Sequence, residues 1–258
     1  MGIDLNAALQ CACDAARAAG EVIASRLGDP GTVRGKPNGP VTDCDVQAEA
    51  AALAVIRRAF PDHAILSEET GSVGTGPFRW IIDPLDGTIN FIRGIPWYDV
   101  SVAFEAEGRV EAGAVYAPAL DLLFAGTRGG GASLNGRPMR VSDIATLPGS
   151  MVDVGFVREV WADSRMLAGA SRLAAAGVEI RSLNACALDL AFVACGRLEA
   201  YWDVYTSLWD VAAGILLIEE AGGRVTLRAS GAALGSGPVV LGSNGRIHGA
   251  LCDALGLD

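Results

Sequence analysis

The sequence predicts a layered α/β protein, and three observations carry that prediction. Residues 5–60 place apolar side chains at helical spacing. Residues 64–141 break into short apolar runs divided by turn signals. From Met151 onward, strand-length runs alternate with helix-length ones. A chain that changes its pattern in this way stacks sheets and helices over shared apolar interfaces.

The elements follow in order. A first helix is expected over 5–27. The stretch GDPGTVRGKPNGP (28–40) reads as a loop, because Gly and Pro punctuate it. VTDCDVQAEAAALAVIRRAF (41–60) reads as a second helix, capped by Asp43 or Asp45, with Val46, Ala50, Leu53 and Ile56 on one face. AILSEE (64–69) and RWIID (79–83) are short strands ending in acids. Residues 99–118 alternate on both sides of Glu107-Gly108, a hairpin signal, and 122–141 continue the meander with a turn at Asn135-Gly136. Beyond Ser150, strands are expected at 151–156, 178–183, 199–204, 223–227 and 238–243. Helices are expected at 164–176, 185–195, 209–221 and 246–255. A soft boundary near 140–150 divides an N-terminal half (1–145) from a C-terminal half (146–258), with no linker and one compact unit expected.

Bulk properties narrow the function. The 258 residues carry a net charge of −10 without a Lys/Arg cluster, which disfavours direct binding to nucleic acid or to an anionic membrane. No apolar run reaches the length of a membrane span. The N-terminus reads as an amphipathic helix and not as a signal peptide. Six scattered cysteines imply reduced, mostly buried thiols in a cytoplasmic protein. His63 and His248 stand alone, so neither a zinc site nor a Ser-His-Asp triad is indicated. GTRGGGASLNG lacks Gly-Lys-Ser/Thr and reads as a turn between strands, not a phosphate loop.

The chemistry concentrates in acids. In WIIDPLDGTINF (80–91) a strand delivers Asp83 at its end, and Pro84, which has no N–H, is expected to stop the ladder. Asp86 follows in a tight turn, Gly87 permits a close backbone approach, and residues 88–91 can begin a helix whose free N–H groups face the same spot. LSEET adds Glu68 and Glu69, and LWDVAAGILLIEEAGG adds Asp210 at a helix start. Taken singly, Asp210 reads as an N-cap, the Glu pair as a solvated turn, and Asp83 and Asp86 as an Asx turn. Together, where strands meet turns or helices, they favour a shared site for Mg²⁺ or Mn²⁺, which hard oxygen ligands suit.

The Glu pair, then WIIDPLDGTINF, then WDVAAGILLIEEAGG, in that order and at those separations, resemble the inositol monophosphatase family of metal-dependent phosphomonoesterases. The likeness runs from about Lys36 to the closing helix. It implies a sugar-phosphatase-like αβαβα sandwich with an antiparallel sheet in the N-terminal half. It implies that Glu68, Asp83 and the Leu85 carbonyl hold one Mg²⁺, that Asp83, Asp86 and Asp210 hold a second, and that a third, weaker ion lies near Glu68, with Mn²⁺ able to substitute. Thr88 and Asp45 would orient the attacking water, with Glu68 counted among the catalytic groups. The amides of Gly87 and Thr88 would hold the phosphate beside Asp86. Lys36 would supply a basic group, and Asp203 would contact substrate hydroxyls. The resemblance further implies a homodimer and sensitivity to lithium.

The departures from the family pattern cluster on the substrate side. They are Ser67 for Gly, Ile89 for Thr, Asn184-Ala185-Cys186 for Gly-Thr/Ser-Ala, Asp203 for Glu, and Ser207-Leu208 for His-Cys. The metal acids are complete, so the expected activity is hydrolysis of inositol monophosphate or a similar polyol phosphate. The same core also serves histidinol phosphate, fructose 1,6-bisphosphate and 3′-phosphoadenosine 5′-phosphate. NFIRGIPWYDVSVAF most resembles the inositol branch. A competing expectation is a regulatory, partner-binding role on the same fold.

Overall fold

The computed structural model describes residues 4–36, 39–155, 164–229 and 238–257. Helices α1 (Leu5–Ser25) and α2 (Asp43–Ala59) flank a hairpin of β1 (Val33–Lys36) and β2 (Gly39–Thr42). Then come β3 (Ala64–Ser67), β4 (Gly71–Val73), β5 (Phe78–Asp86) and the short α3 (Thr88–Ile92). A meander follows: β6 (Asp99–Ala106), β7 (Arg109–Ala117), β8 (Leu122–Thr127), β9 (Gly131–Leu134) and β10 (Arg137–Pro138). The remainder is β11 (Met151–Val154), α4 (Ser164–Ala175), β12 (Glu179–Arg181), α5 (Cys186–Ala194), β13 (Ala200–Asp203), α6 (Leu208–Glu220), β14 (Arg224–Ala229), β15 (Pro238–Ser243) and α7 (His248–Leu255).

Strand alternation sets the layers. Trp80, Ile82, Val100, Val102 and Phe104 point to one face of the first sheet, where α1 and α2 cover them. Ile81, Ala103 and Val115 point the other way, into a layer formed by α5 and α6. The second sheet closes that layer and turns Val152, Val154 and Trp202 toward α4 and α7. The result is the αβαβα sandwich. Its first sheet has eight strands in the order β10-β9-β8-β7-β6-β5-β3-β4, and its second has five in the order β12-β11-β13-β15-β14. In the eight-stranded sheet β3 and β5 run parallel and the other pairs are antiparallel. The five-stranded sheet is mixed, with β11 parallel to both β12 and β13.

Small residues let the layers approach closely. The buried face of α1 is mostly alanine, and a Cβ at Gly20 would fall 2.5 Å from the Tyr116 ring. In α6, a Cβ at Gly214 would fall 2.5 Å from the Leu190 Cβ of α5. The Ala-Ala-Gly run of the second motif is therefore a packing requirement.

Several expectations are corrected. The stretch read as a loop contains the β1–β2 hairpin, whose Gly and Pro residues mask its pairing. Thr42, not Asp43 or Asp45, caps α2, and Asp45 completes the capping box from inside the helix. Val46 and Ala50 face solvent; the buried face is Cys44, Asp45, Ala48, Glu49, Ala52, Leu53 and Ile56, and it carries two acids. Pro84 does not end its strand. The β5–β6 ladder shifts register between Asp83 (opposite Ser101) and Asp86 (opposite Asp99), so the proline sits in a bulge and pairing resumes beyond it. Cys11, Cys44 and Cys186 are buried, and Cys13, Cys195 and Cys252 half-buried, all unbridged. Pro37 and Asn38 of the expected loop and Phe156 of the expected strand lie outside the described residues.

Candidate active site

The bulge in β5 builds the centre of the site. One extra residue between Asp83 and Asp86 bends the strand just before α3. The Asp83 carboxylate accepts the backbone N–H of Leu85 at 3.0 Å, which stabilises the bend. Gly87 then adopts φ +81°, and a Cβ there would meet the Trp97 carbonyl oxygen at 2.9 Å. Only glycine satisfies both conditions.

Three further elements bring acids to this bend. Ser67 ends β3, and Glu68 continues alongside β5 through its N–H to the Ile82 carbonyl at 3.2 Å. On β6, Ser101 stands opposite Asp83 and donates to the Trp209 carbonyl at 3.2 Å, which fixes the start of α6 beside the bend. Asp210 is not the N-cap of α6, which is Ser207; it accepts the Ser207 N–H at 2.5 Å and completes the capping box from inside the helix. It also belongs to the acid group: burial raises the Asp83 carboxyl well above its ordinary range, and the charges of Glu68, Asp86, Asp210 and Asp99 raise it further. Burial likewise raises Asp210, with Asp86 adding to the effect. Asp86 is pushed up to about 7, chiefly by burial, against the pull of the Ala187 N–H.

Beside the bend runs a chain of oxygens. Thr88 Oγ1 lies 3.1 Å from Asp45 Oδ1 and 3.1 Å from the Leu85 carbonyl oxygen. Its single proton can go to one of them, and the hydroxyl oxygen keeps acceptor capacity. Asp45 is 1% exposed, and its other oxygen accepts the Thr42 N–H at 2.8 Å and the Thr42 hydroxyl at 2.5 Å. Burial raises its carboxyl above the usual range, against those bonds.

Lys36 reaches in from β1. Its ammonium bonds Glu68 at 2.8 Å and also Glu69. Among the described residues, no three Asp, Glu, His or Cys side chains already close on one point in metal-ligand fashion. Glu68 instead faces Lys36, while Asp83 and Asp210 each take a local N–H and Asp86 takes that of Ala187. The donor set still fits a hard divalent cation. It is all oxygen, it has more negative charge than Lys36 offsets, and the charges of its neighbours raise the proton affinity of Asp83 and Asp210, as happens where a cation would relieve buried acids.

Asp203, expected at the substrate, is withdrawn. It is 4% exposed, accepts the Tyr201 hydroxyl at 2.9 Å and the Tyr205 N–H at 2.8 Å, and is pushed up to about 6, chiefly by burial. A Cβ on Gly155 would lie 2.0 Å from its Oδ2, so the carboxylate fills the space that glycine leaves. Both oxygens are engaged by the protein itself. Cys186 opens α5 and is nearly buried; burial and the charge of Asp86 push its thiol up.

Four residues of the site lie outside those expected from the sequence. Asp99 stands opposite Asp86 and accepts the Leu188 N–H at 3.2 Å. Asp189 accepts the Trp97 indole N–H at 2.8 Å and the Ala185 N–H at 3.2 Å. Asn90 donates to the carbonyls of Trp97 and Leu183, each at 2.8 Å. Glu49 receives the turn that bears Glu68. Glu49 had a signal: it lies one helical turn after Asp45, so the two acids share a face.

Comparison with known proteins places the chain by family and fold. The model described as the inositol monophosphatase family matches residues 4–256. The chain is 40% identical over 258 residues to an inositol-1-monophosphatase of Synechocystis sp., covering 98% of this chain and 90% of that one. It is 39% identical over 227 residues to a protein of Pasteurella multocida named Nus factor SuhB, covering 86% and 85%. The solved inositol monophosphatase of Anabaena (Nostoc) sp. superposes with a TM-score of 0.87 at 38% identity, covering 99% of this chain and 97% of that one.

Proposed function

This chain belongs to the inositol monophosphatase family, and from that membership we propose that it is a Mg²⁺-dependent phosphomonoesterase acting on myo-inositol 1-phosphate or a similar polyol phosphate. The observation that carries the reading is the convergence of Glu68, Asp83, Asp86 and Asp210 on the bend in β5, close enough for their charges to raise the Asp83 carboxyl, beside the Thr88–Asp45 hydrogen bond.

Glu68, Asp83, Asp86, Asp210 and the Leu85 carbonyl would hold two Mg²⁺ ions, with a third near Glu68. Bound there, Mg²⁺ supplies a water of lowered pKa and neutralises charge on phosphate and leaving oxygen. Glu68 must turn from Lys36 to join this set, leaving the ammonium on Glu69 with donors to spare for the phosphate. Thr88, its proton directed to Asp45, accepts a hydrogen bond from water and orients it for in-line attack. The amides of Gly87 and Thr88 receive phosphate oxygens. Asp203, held by Tyr201 and Tyr205, shapes the polyol pocket. A homodimer belongs to the same reading.

A regulatory role on this fold is the second reading, favoured by the naming of the P. multocida relative as a Nus factor. Phosphate release at saturating Mg²⁺ separates the two. The panel is inositol 1-phosphate, fructose 1,6-bisphosphate, histidinol phosphate and 3′-phosphoadenosine 5′-phosphate. Preference for the inositol ester, loss with chelator, and inhibition by lithium in the millimolar range are expected. Preference for another ester moves the specificity and keeps the chemistry. No release from any ester with metal bound puts the regulatory reading first.

A further inference from the structure

We propose that Glu49 is a positioning residue that sets the direction of Glu68 and thereby the affinity of the metal site to which Glu68 contributes. The inference rests on the metal-dependent reading above. Glu49 lies on α2 and is 4% exposed. Its carboxylate collects four donors from one short span: the Ser67 hydroxyl, the Glu69 N–H at 3.1 Å, the Thr70 N–H at 3.3 Å, and the Thr70 hydroxyl. Glu68 is the one residue of that span that gives Glu49 no donor. Its own N–H goes to the Ile82 carbonyl of β5. The residues on each side of Glu68 are thus tied to α2, Ser67 by its hydroxyl and Glu69 and Thr70 by their N–H groups, and Glu68 itself is tied to the sheet. Its side chain leaves a turn that is fixed from two directions.

A carboxylate is suited to this task because it accepts only, and all four partners donate. It also adds negative charge beside the acids, which favours a cation. The same helix face carries Asp45 one turn earlier, bonded to Thr88. One buried acid of α2 therefore orders the nucleophile side and the other orders the Glu68 side. Ser67, where the family pattern has glycine, gives this chain one additional hydroxyl on Glu49.

Outer partners of metal ligands change affinity by about 10–100-fold when removed. The test is Mn²⁺ titration of the whole protein, with free Mn²⁺ read by electron paramagnetic resonance, beside thermal melts in chelator. In Glu49→Gln the site using Glu68 is expected to weaken about 10-fold or more, while the site using Asp86 and Asp210 keeps its affinity and the chelated Tm holds. Asp86→Asn is expected to weaken the other site, which identifies the two. Ser67→Ala is expected to shift the Glu68 site in the same direction by less, and it decides the matter should Glu49→Gln not fold. Unchanged affinity at both sites overturns the proposal. So does parallel weakening of both with a lowered Tm, which marks a merely structural role. A native protein that binds no Mn²⁺ overturns the metal reading itself, before any variant is made.

Discussion

Asp86 Oδ2 accepts the backbone N–H of Ala187 at 2.7 Å, across 101 positions of sequence. The N-cap of α5 is Ala185, which has no side chain able to cap. Its free amides go to acids instead: Ala187 to Asp86, Leu188 to Asp99 and Ala185 to Asp189. The first turn of α5 is therefore held by the same strands that carry the candidate metal ligands, and a displacement of either is felt by the other.

Asp83→Asn keeps the acceptor for the Leu85 N–H and the side-chain volume, and removes a charge from a buried acid group. Phosphate release should fall by about a thousand-fold or more. The chelated Tm should hold or rise, because like-charge repulsion is relieved. Retained activity would sink the metal assignment.

Thr88→Ala removes the hydroxyl that joins Asp45 to the Leu85 carbonyl. A drop in kcat of about 100- to 10,000-fold is expected, with Mn²⁺ affinity unchanged. Thr88→Ser should restore most of the rate. Loss of rate and metal binding together would move Thr88 out of the nucleophile's neighbourhood.

Gly214→Ala puts a methyl 2.5 Å from the Leu190 Cβ. Overpacking of this kind costs about 1–3 kcal/mol, to be read from urea midpoints at unchanged m-value. Stability equal to the native chain would show that α5 and α6 separate without penalty.

His248 gives the pH dependence of stability. It is 1% exposed, with one ring nitrogen 2.7 Å from the Ser243 hydroxyl and the other 2.8 Å from the Thr226 hydroxyl. Burial, with help from Arg224, lowers its folded pKa below the ordinary 6.5. The unfolded chain then binds the extra proton first, so stability is full above 6.5 and falls as pH drops through that value. The raised acids act in the opposite sense, Asp203 losing stability as pH climbs from 3.8 toward 6. The histidine contribution is therefore the native slope minus that of His248→Gln, measured by urea unfolding between pH 7.5 and 5 on the order of every half unit. Identical slopes would place the His248 proton elsewhere.

Much of this molecule is legible in its sequence where periodicity and burial agree. The strands from Phe78 to Leu134 read as apolar runs because both sheet faces are buried, and the turns at Gly108, Gly129 and Gly136 fall where glycine allows positive φ, while the β7–β8 turn places Asp121 there instead. The reading failed where polar residues face inward. On α2, Asp45 and Glu49 occupy the buried stripe, so the apolar count pointed to Val46 and Ala50 instead. At Pro84 a local rule about missing donors met a bulge that needs no donor. Asp99 became part of the site only through its register opposite Asp86, which depends on that same bulge. The acids of the two motifs were legible as a group because their chemistry needs carboxylates together. Their supporting partners were not, because one buried acid on a helix carries no pattern of its own.

The separation of the site between early and late chain has a consequence for biosynthesis. Asp83 and Asp86 leave the ribosome long before Ala187 and Asp210. A nascent chain that ends before α5 holds a cluster of acids without the amides of α5 that temper them. The first sheet then carries its own repulsion until the last third of the protein arrives, and α5 and α6 bring the remaining parts of the site. A chain stalled before that point would be both unfinished and self-repelling, with the interior face of its larger sheet still open to water.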